Sequence, residues 1–144
     1  MNGIANTPRG LEDLKINVKI KLSALWGSVM FCYIYADYFV LYEPGKLQAI
    51  LNGEFFGVGP TTQGVLLGAS LMLAIPSLMI FLSVVLPPVF NRWLNIIAGA
   101  VYTAIILKTM WGWVFLVFYG VIEISLTSLI VWYAWRWPKA PAST

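Results

Sequence analysis

Four long apolar stretches constrain the fold of this chain more than any other feature of its sequence. They cover about residues 22–42, 62–86, 93–111 and 113–135. A helix of about 20 residues rises far enough to cross the ~30 Å hydrocarbon core of a membrane. Each stretch must be helical, because an unpaired backbone amide or carbonyl costs several kcal/mol in hydrocarbon. The sequence therefore predicts four transmembrane helices.

The composition favours a membrane domain and excludes several classes of site. Of the 144 residues, 60% are hydrophobic and 10% are charged, whereas a soluble domain carries about 25% charged residues. The chain has no histidine and one cysteine, which excludes imidazole-ligated zinc, a bis-imidazole haem, a Ser-His or Cys-His pair and a dithiol relay. We therefore expect no catalytic residue, no metal and no cofactor.

Basic residues lie mainly on one side of the predicted spans. Arg92 falls in the turn between the second and third spans, whereas Lys46 and Lys108 lie on the opposite side. The other basic residues precede the first span or follow the fourth: Arg9, Lys15, Lys19, Lys21, Arg136 and Lys139. The positive-inside rule then places both termini in the cytoplasm. This charge favours a bilayer with anionic headgroups as the partner, and not a nucleic acid.

The expected fold is all-α, with residues 22–137 forming one up-down antiparallel bundle of four transmembrane helices. Pro87-Pro88 and Gly112 allow the short reversals that such a bundle needs. Residues 1–21 are expected to form a cytoplasmic amphipathic segment, and residues 138–144 a short cytoplasmic tail. An apolar stripe in the first segment suggests a helix on the leaflet surface; it consists of Leu11, Leu14, Val18 and Leu22.

The first outer loop is too apolar for a plain solvated connection. Pro44 can open a helix at its first position, and Gly53 can close it. Leu47, Ile50 and Leu51 would share one face of that helix. The pattern predicts a short helix on the outer interface, with Phe55 and Phe56 either dipping into lipid or capping the bundle.

Residues at the ends of the spans are typical of membrane interfaces. The seven tryptophans fall mostly at these ends, as interfacial indoles do. Asn91 is expected to cap exposed amides where the third span begins. Arg92 is expected to contact a lipid phosphate or a neighbouring acid. A headgroup site or an anionic-substrate site at this pair is the alternative.

Two acids fall inside the predicted spans. An acid at the centre of a membrane helix costs about 2.5 to 3.5 kcal/mol. Asp37 lies ~22 Å along the first span, in its outer half, and Glu123 lies ~16 Å below the outer end of the fourth, near the midplane. Lys108 reaches a similar depth and could pair with Asp37. We expect Glu123 to be neutral and to donate a hydrogen bond to a tyrosine, an asparagine or a carbonyl.

The acids share helix faces with other polar residues. Tyr33 lies on the face of Asp37, and Asn95 and Tyr102 share a face of the third span. Facing lipid would leave these groups unpaired, so we expect the faces to meet inside the bundle and form a polar interior site. Three roles stay open for this site: packing between helices, a path for protons or cations, and a ligand-binding pocket.

Pro76 and a glycine pair mark the second span. Pro76 frees a carbonyl one turn earlier, near Met72, and kinks the helix. This carbonyl either has only a geometric role or lines a polar cavity with Glu123. Gly64-x-x-x-Gly68 would allow another helix to approach closely, within the chain or in an oligomer.

Several short motifs together resemble a family of small bacterial four-helix membrane proteins described as a domain of unknown function. They are Tyr33-Ile34-Tyr35-Ala36-Asp37, Gly64-Val65-Leu66-Leu67-Gly68-Ala69, Ile75-Pro76-Ser77-Leu78-Met79, Asn91-Arg92-Trp93-Leu94-Asn95-Ile96-Ile97-Ala98-Gly99, Ile122-Glu123 and Trp132-Tyr133-Ala134-Trp135-Arg136-Trp137. The resemblance implies the four-helix topology and a bacterial inner membrane, and it implies no activity. A looser likeness to DoxX-type four-helix proteins rests on size and topology alone.

Three hypotheses of function follow. The first is a structural or accessory membrane subunit, whose acids hold helices together and which joins a second copy or another membrane protein. The alternative is a small oligomeric channel or carrier for protons or a small solute that uses Glu123. An enzyme acting on lipid or quinone has the weakest support, because only carboxylate, tyrosine and arginine chemistry is available.

Overall fold

The computed structural model describes residues 14–57 and 59–138, which form four long helices and one short one. The long helices are α1 (Val18–Val40), α3 (Gln63–Val85), α4 (Pro88–Thr109) and α5 (Val114–Trp135). The short helix α2 (Lys46–Leu51) follows α1, and β1 (Glu54–Phe55) pairs with β2 (Gly59–Pro60) as a minimal antiparallel hairpin before α3 begins. The fold is therefore helical, as the sequence predicts.

Three of the long helices could cross a membrane by length and composition. These are α3, α4 and α5. Helix α1 has a similar length, 23 residues, but it carries Lys19, Lys21 and Asp37 and is not among them. Length and composition therefore support three of the four predicted spans, and the first span is not confirmed.

Helix α1 begins four residues before the predicted span. The Asn17 side chain accepts a hydrogen bond from the Lys19 amide at 2.9 Å and so caps the helix. Lys19 and Lys21 therefore belong to α1 and not to a separate segment. Arg9, Leu11 and Lys139 lie outside the described residues.

Adjacent long helices run antiparallel, with α1 between α3 and α5, and α5 also against α4. The Lys19 ammonium donates to the Leu86 carbonyl at 2.7 Å, which joins the start of α1 to the end of α3. At the other end of α1, the ring of Phe39 lies 6.2 Å from that of Phe115, near the start of α5. Helices α3 and α4 touch each other only weakly.

The loop after α1 differs from the prediction at its first residues. Helix α2 begins at Lys46 and not at Pro44, because Gly45 occupies the helix cap with a left-handed φ of 80°. Gly53, with φ of 85°, follows the helix and allows the chain to turn. Strands as short as those of the following hairpin leave no periodic signal, and the sequence did not predict them.

A buried hydrogen-bond network joins α1, α3 and α4. The Trp26 indole donates to the Asn95 side-chain oxygen at 2.8 Å. The Asn95 amide donates to the Asn91 side-chain oxygen at 2.7 Å, and the Asn91 amide donates to the Ser83 carbonyl at 2.6 Å. The Ser83 hydroxyl completes the network by donating to the Asn95 oxygen at 3.3 Å. All four residues are fully buried.

This network corrects two predictions. Trp26 is not an interfacial anchor, because Asn95 supplies a buried acceptor for its indole N–H. Asn91 does not cap the amides of α4, which begins at Pro88. Its side chain binds the last turn of α3 and thereby fastens the reversal between the two helices.

Glycines allow α4 and α5 to approach closely. A Cβ atom on Gly120 would lie 2.6 Å from the Met110 Cβ, and one on Gly99 would lie 2.8 Å from Val131 Cγ2. Gly68 has nothing within 4 Å of its Cβ position. No other described helix therefore packs closely against Gly64-x-x-x-Gly68.

We predict that Gly120→Ala lowers the free energy of unfolding by about 1–3 kcal/mol, because the new methyl group overpacks the contact with Met110. Gly68→Ala is the matched control and should be neutral or raise stability by about 0.5–1 kcal/mol, since alanine restricts the unfolded chain. Thermal unfolding in detergent measures both. Equal destabilisation by the two changes would contradict the close approach of α4 and α5.

Candidate solute cavity

A cavity of about 480 Å³ lies among α1, α3, α4 and α5, toward the end where α1 ends and α5 begins. We call this the cavity end, and the opposite end, where α1 begins and α5 ends, the terminal end. The volume falls within the range of pockets that hold small molecules, about 300–1,000 Å³. Side chains from α1, α4, α5 and the loop after α1 form most of the lining.

Glu123 contributes a buried carboxyl to this cavity. The residue is 5% exposed, and its Oε1 atom is buried without a hydrogen-bond partner among the described residues. The Thr127 hydroxyl donates at 2.9 Å, but to the backbone carbonyl of Glu123 and not to its carboxyl. The expected hydrogen bond from the carboxyl to a tyrosine, an asparagine or a carbonyl is not observed within the described residues.

Asp37 lines the same cavity from α1 and is more exposed than Glu123. It does not pair with Lys108, so that prediction is wrong. Lys108 is exposed on α4, which lies diagonally across from α1. The salt bridge found among the described residues joins Lys46 Nζ to Glu43 Oε2 at 3.6 Å, and both residues line the cavity.

Two tyrosines meet beside the cavity but have different surroundings. The rings of Tyr33 and Tyr102 lie 6.2 Å apart. Tyr33 lines the cavity, and its buried hydroxyl has no partner among the described residues. The Tyr102 hydroxyl instead donates to the Met72 carbonyl.

The carbonyl freed by Pro76 therefore has a partner from another helix. Pro76 lies in the middle of α3 and has no N–H for the carbonyl four residues earlier, that of Met72. Tyr102 of α4 supplies the missing donor. Because Met72 also lines the cavity, the proline links the α3–α4 contact to the cavity wall.

The predicted polar interior site is thus divided. Glu123, Asp37 and Tyr33 line the cavity. Tyr102 and Asn95 hold helices together through hydrogen bonds.

Arg92 lies at the terminal end, away from the cavity. Its guanidinium carbon is 5.8 Å from the centre of the Trp93 ring and 5.9 Å from that of Trp135. Its Nε atom is buried without a partner among the described residues. A groove beside it is bounded by Val89, Trp93, Trp137 and Pro138.

Sequence reasoning missed most of the groups that surround the mouth of the cavity. Glu43 and Lys46 come from the loop and α2, and Trp111 and Trp113 from the turn between α4 and α5. The sequence predicts only Phe56 near this place, as one of two residues that could cap the bundle, and it lines the cavity. These residues meet only through the tertiary fold, and no spacing along the chain indicates it.

Comparison with known proteins gives a family but no activity. A family model described as a family of unknown function (DUF6326) matches residues 12–144. No curated protein and no solved structure matches the chain. The family match spans every described helix, so the whole cavity lies within it. The predicted resemblance to a family of unknown function is confirmed.

We predict that Tyr102→Phe lowers the free energy of unfolding by about 1–3 kcal/mol, because it leaves the Met72 carbonyl unpaired. In a Pro76→Ala background the cost should fall, since the restored N–H at residue 76 can donate to that carbonyl. A double-mutant cycle by thermal unfolding measures the coupling. Tyr35→Phe, at an exposed hydroxyl, is the control. Additive effects would show that the tyrosine does not compensate for the proline.

Proposed function

The chain belongs to the DUF6326 family, and we propose that it is a multi-pass integral membrane protein that holds a small solute in its cavity, beside Glu123. In this proposal α1 also spans the membrane, which gives an up-down antiparallel bundle of four spans. Its length and its packing between α3 and α5 support this assignment. Exposed apolar side chains, among them Phe31 and Ile34, also give α1 a surface suited to lipid.

The proposed location is a bacterial inner membrane, with both termini in the cytoplasm. Support comes from the charges of the described residues. The terminal end carries Lys15, Lys19, Lys21, Arg92 and Arg136, and the described acids, Asp37, Glu43, Glu54 and Glu123, lie elsewhere. Anionic headgroups would complement the positive charge of this end, and Arg92, beside its groove, would contact one of them.

Reporter fusions test the orientation. We expect green fluorescent protein fused after residue 138 to be fluorescent, because that end faces the cytoplasm, and alkaline phosphatase at the same place to be inactive. Alkaline phosphatase inserted after Gly53, in the loop at the cavity end, should be active. The reverse pattern would contradict the proposed topology.

The observation that carries the solute proposal is the unpaired carboxyl of Glu123. A buried polar group without a partner costs free energy, and an acid within a membrane helix costs more. If Glu123 served to hold helices together, its carboxyl would bond to a neighbouring helix, as Asn95 does. Because its Oε1 is unbonded beside a cavity of about 480 Å³, a bound solute is the missing partner in our proposal.

The same geometry is compatible with transport. A carboxyl that exchanges a solute for a proton would link the movement of the two, and this is the channel or carrier form of the proposal. The path of the solute and the proton across the membrane would lie between the subunits of an oligomer.

A structural or accessory subunit is the second candidate function. The observation that favours it is the exposed face of α3 that carries Gly64 and Gly68, where added Cβ atoms would meet only open space or a distant hydroxyl. Small residues on a lipid-facing surface allow a second copy or another membrane protein to approach closely. In this candidate the acids would contribute mainly to stability.

A stability comparison with chemical labelling distinguishes the two functions. We expect Glu123→Gln to leave the free energy of unfolding unchanged or raised, since no bond is lost at Oε1. Dicyclohexylcarbodiimide, which attacks carboxyls in apolar surroundings, should label the wild-type protein at Glu123, as read by mass spectrometry of peptides. The variant should not be labelled at this position.

Thr127→Val is the matched control one turn away on the same helix. It removes bonds to Thr103 and to the Glu123 carbonyl and should lower stability by about 1–2 kcal/mol. If Glu123→Gln is as destabilising as this control, and Glu123 resists the reagent, the solute proposal fails and the structural role is favoured.

A further inference from the structure

We propose that the solute is a small organic ammonium ion, held between carboxylates and aromatic rings. This inference rests on the proposed function and names the chemical class of its ligand. Three properties of the cavity lead to it: the charges of its lining, its aromatic side chains, and the separation in depth of its two unpaired acids.

The lining is acidic once its salt bridge is taken into account. Four charged residues contribute to it: Asp37, Glu43, Glu123 and Lys46. The ammonium of Lys46 lies 3.6 Å from Glu43 and neutralises it. Two carboxyls remain without a cationic partner among the described lining residues. An anionic solute would therefore find no counter-charge, whereas a cation would pair with Asp37 and, once that carboxyl releases its proton to water, with Glu123.

Aromatic rings provide the second property. Five aromatic residues line the cavity: Tyr33, Phe56, Trp111, Trp113 and Tyr119. The faces of such rings attract ammonium groups, by about 0.5–1 kcal/mol at exposed sites and about 2 kcal/mol where water is excluded. Carboxylates combined with aromatic rings recognise alkylated ammonium ions, whose methyl groups suit an apolar wall.

The two acids lie at different depths. Asp37 is three residues from the end of α1, or ~4.5 Å along the helix, and it is exposed. Glu123 is nine residues from the start of α5, or ~13 Å along it, and it is 5% exposed. A cation would pass Asp37 near the mouth of the cavity and reach Glu123 at its inner part. Tyr33, with its unpaired hydroxyl, could accept a hydrogen bond from an N–H or O–H group of the solute.

A metal cation fits this lining less well than an organic one. No cluster of three or more His, Cys, Asp or Glu residues among the described residues is arranged to hold a metal ion. Calcium takes six to eight oxygen ligands at about 2.3–2.6 Å, which a cavity walled largely by apolar and aromatic groups does not offer. The volume of about 480 Å³ instead has room for several carbon atoms around a charged nitrogen.

The test uses the full chain purified in detergent, with choline as the probe. Its uncharged carbon isostere, 3,3-dimethyl-1-butanol, has the same shape without the charge. Binding of radiolabelled choline is measured by scintillation proximity, with dimethylbutanol and tetramethylammonium as competitors. The change in total tryptophan emission on binding, to which Trp111 and Trp113 of the cavity lining contribute, is a second readout.

We expect saturable choline binding, competition by tetramethylammonium and no competition by the isostere. Glu123→Gln and Asp37→Asn should each weaken binding about tenfold or more, the equivalent of about 1.4 kcal/mol. Glu54→Gln is the matched control, since Glu54 is an acid of the β1 strand that does not line the cavity, and it should leave binding unchanged.

Three results would overturn the inference. Equal competition by the isostere would show that the cavity selects shape and not charge. Absence of choline binding, or full binding by both acid variants, would also exclude an ammonium site. If Glu123 is nevertheless labelled by the carbodiimide and Glu123→Gln stays stable, only the ammonium class fails. If labelling is absent as well, the solute cavity itself is contradicted.

Discussion

Every polar group that this chain takes out of water must find a partner or have another use, and the two ends of the helices meet this constraint differently. Near the terminal end, Trp26, Ser83, Asn91 and Asn95 satisfy one another through hydrogen bonds across three helices, whereas the Arg92 Nε at that end is buried without a partner among the described residues. Toward the cavity end, a carboxyl oxygen of Glu123 is buried with no partner among the described residues. The first arrangement joins three helices, and the second is the observation on which the proposed binding rests.

The cavity lies beside close contacts between helices. Gly99 and Gly120 bring α4 and α5 together, and Tyr102 replaces the hydrogen bond that Pro76 removes from α3. Helices α3 and α4 meet weakly in other places. Space therefore remains among the four helices next to Glu123. At Met72 the cavity wall is held to α4 by the hydrogen bond from Tyr102.

The residues that are costly in an apolar helix can be predicted from the sequence more readily than their partners. The sequence marks Glu123 and Asp37, because a charge in an apolar helix is costly, and Pro76, because it lacks an N–H. The pairing of Asp37 with Lys108 failed because equal depth says nothing about which faces meet. The sequence predicts Trp26 at the interface, because indoles are common there, whereas a buried acceptor on α4 holds it in the core.

The long helices, their approximate ends and the presence of acids among apolar residues can all be predicted from the sequence. These properties follow from local chemistry, since backbone bonding in an apolar helix and the cost of a charge do not depend on distant residues. Packing between helices is what brings Tyr33, Asp37 and Glu123 to one cavity and places the loop after α1 and the α4–α5 turn around it. Helix rotation and neighbour choice set those contacts, because they depend on how whole surfaces fit together.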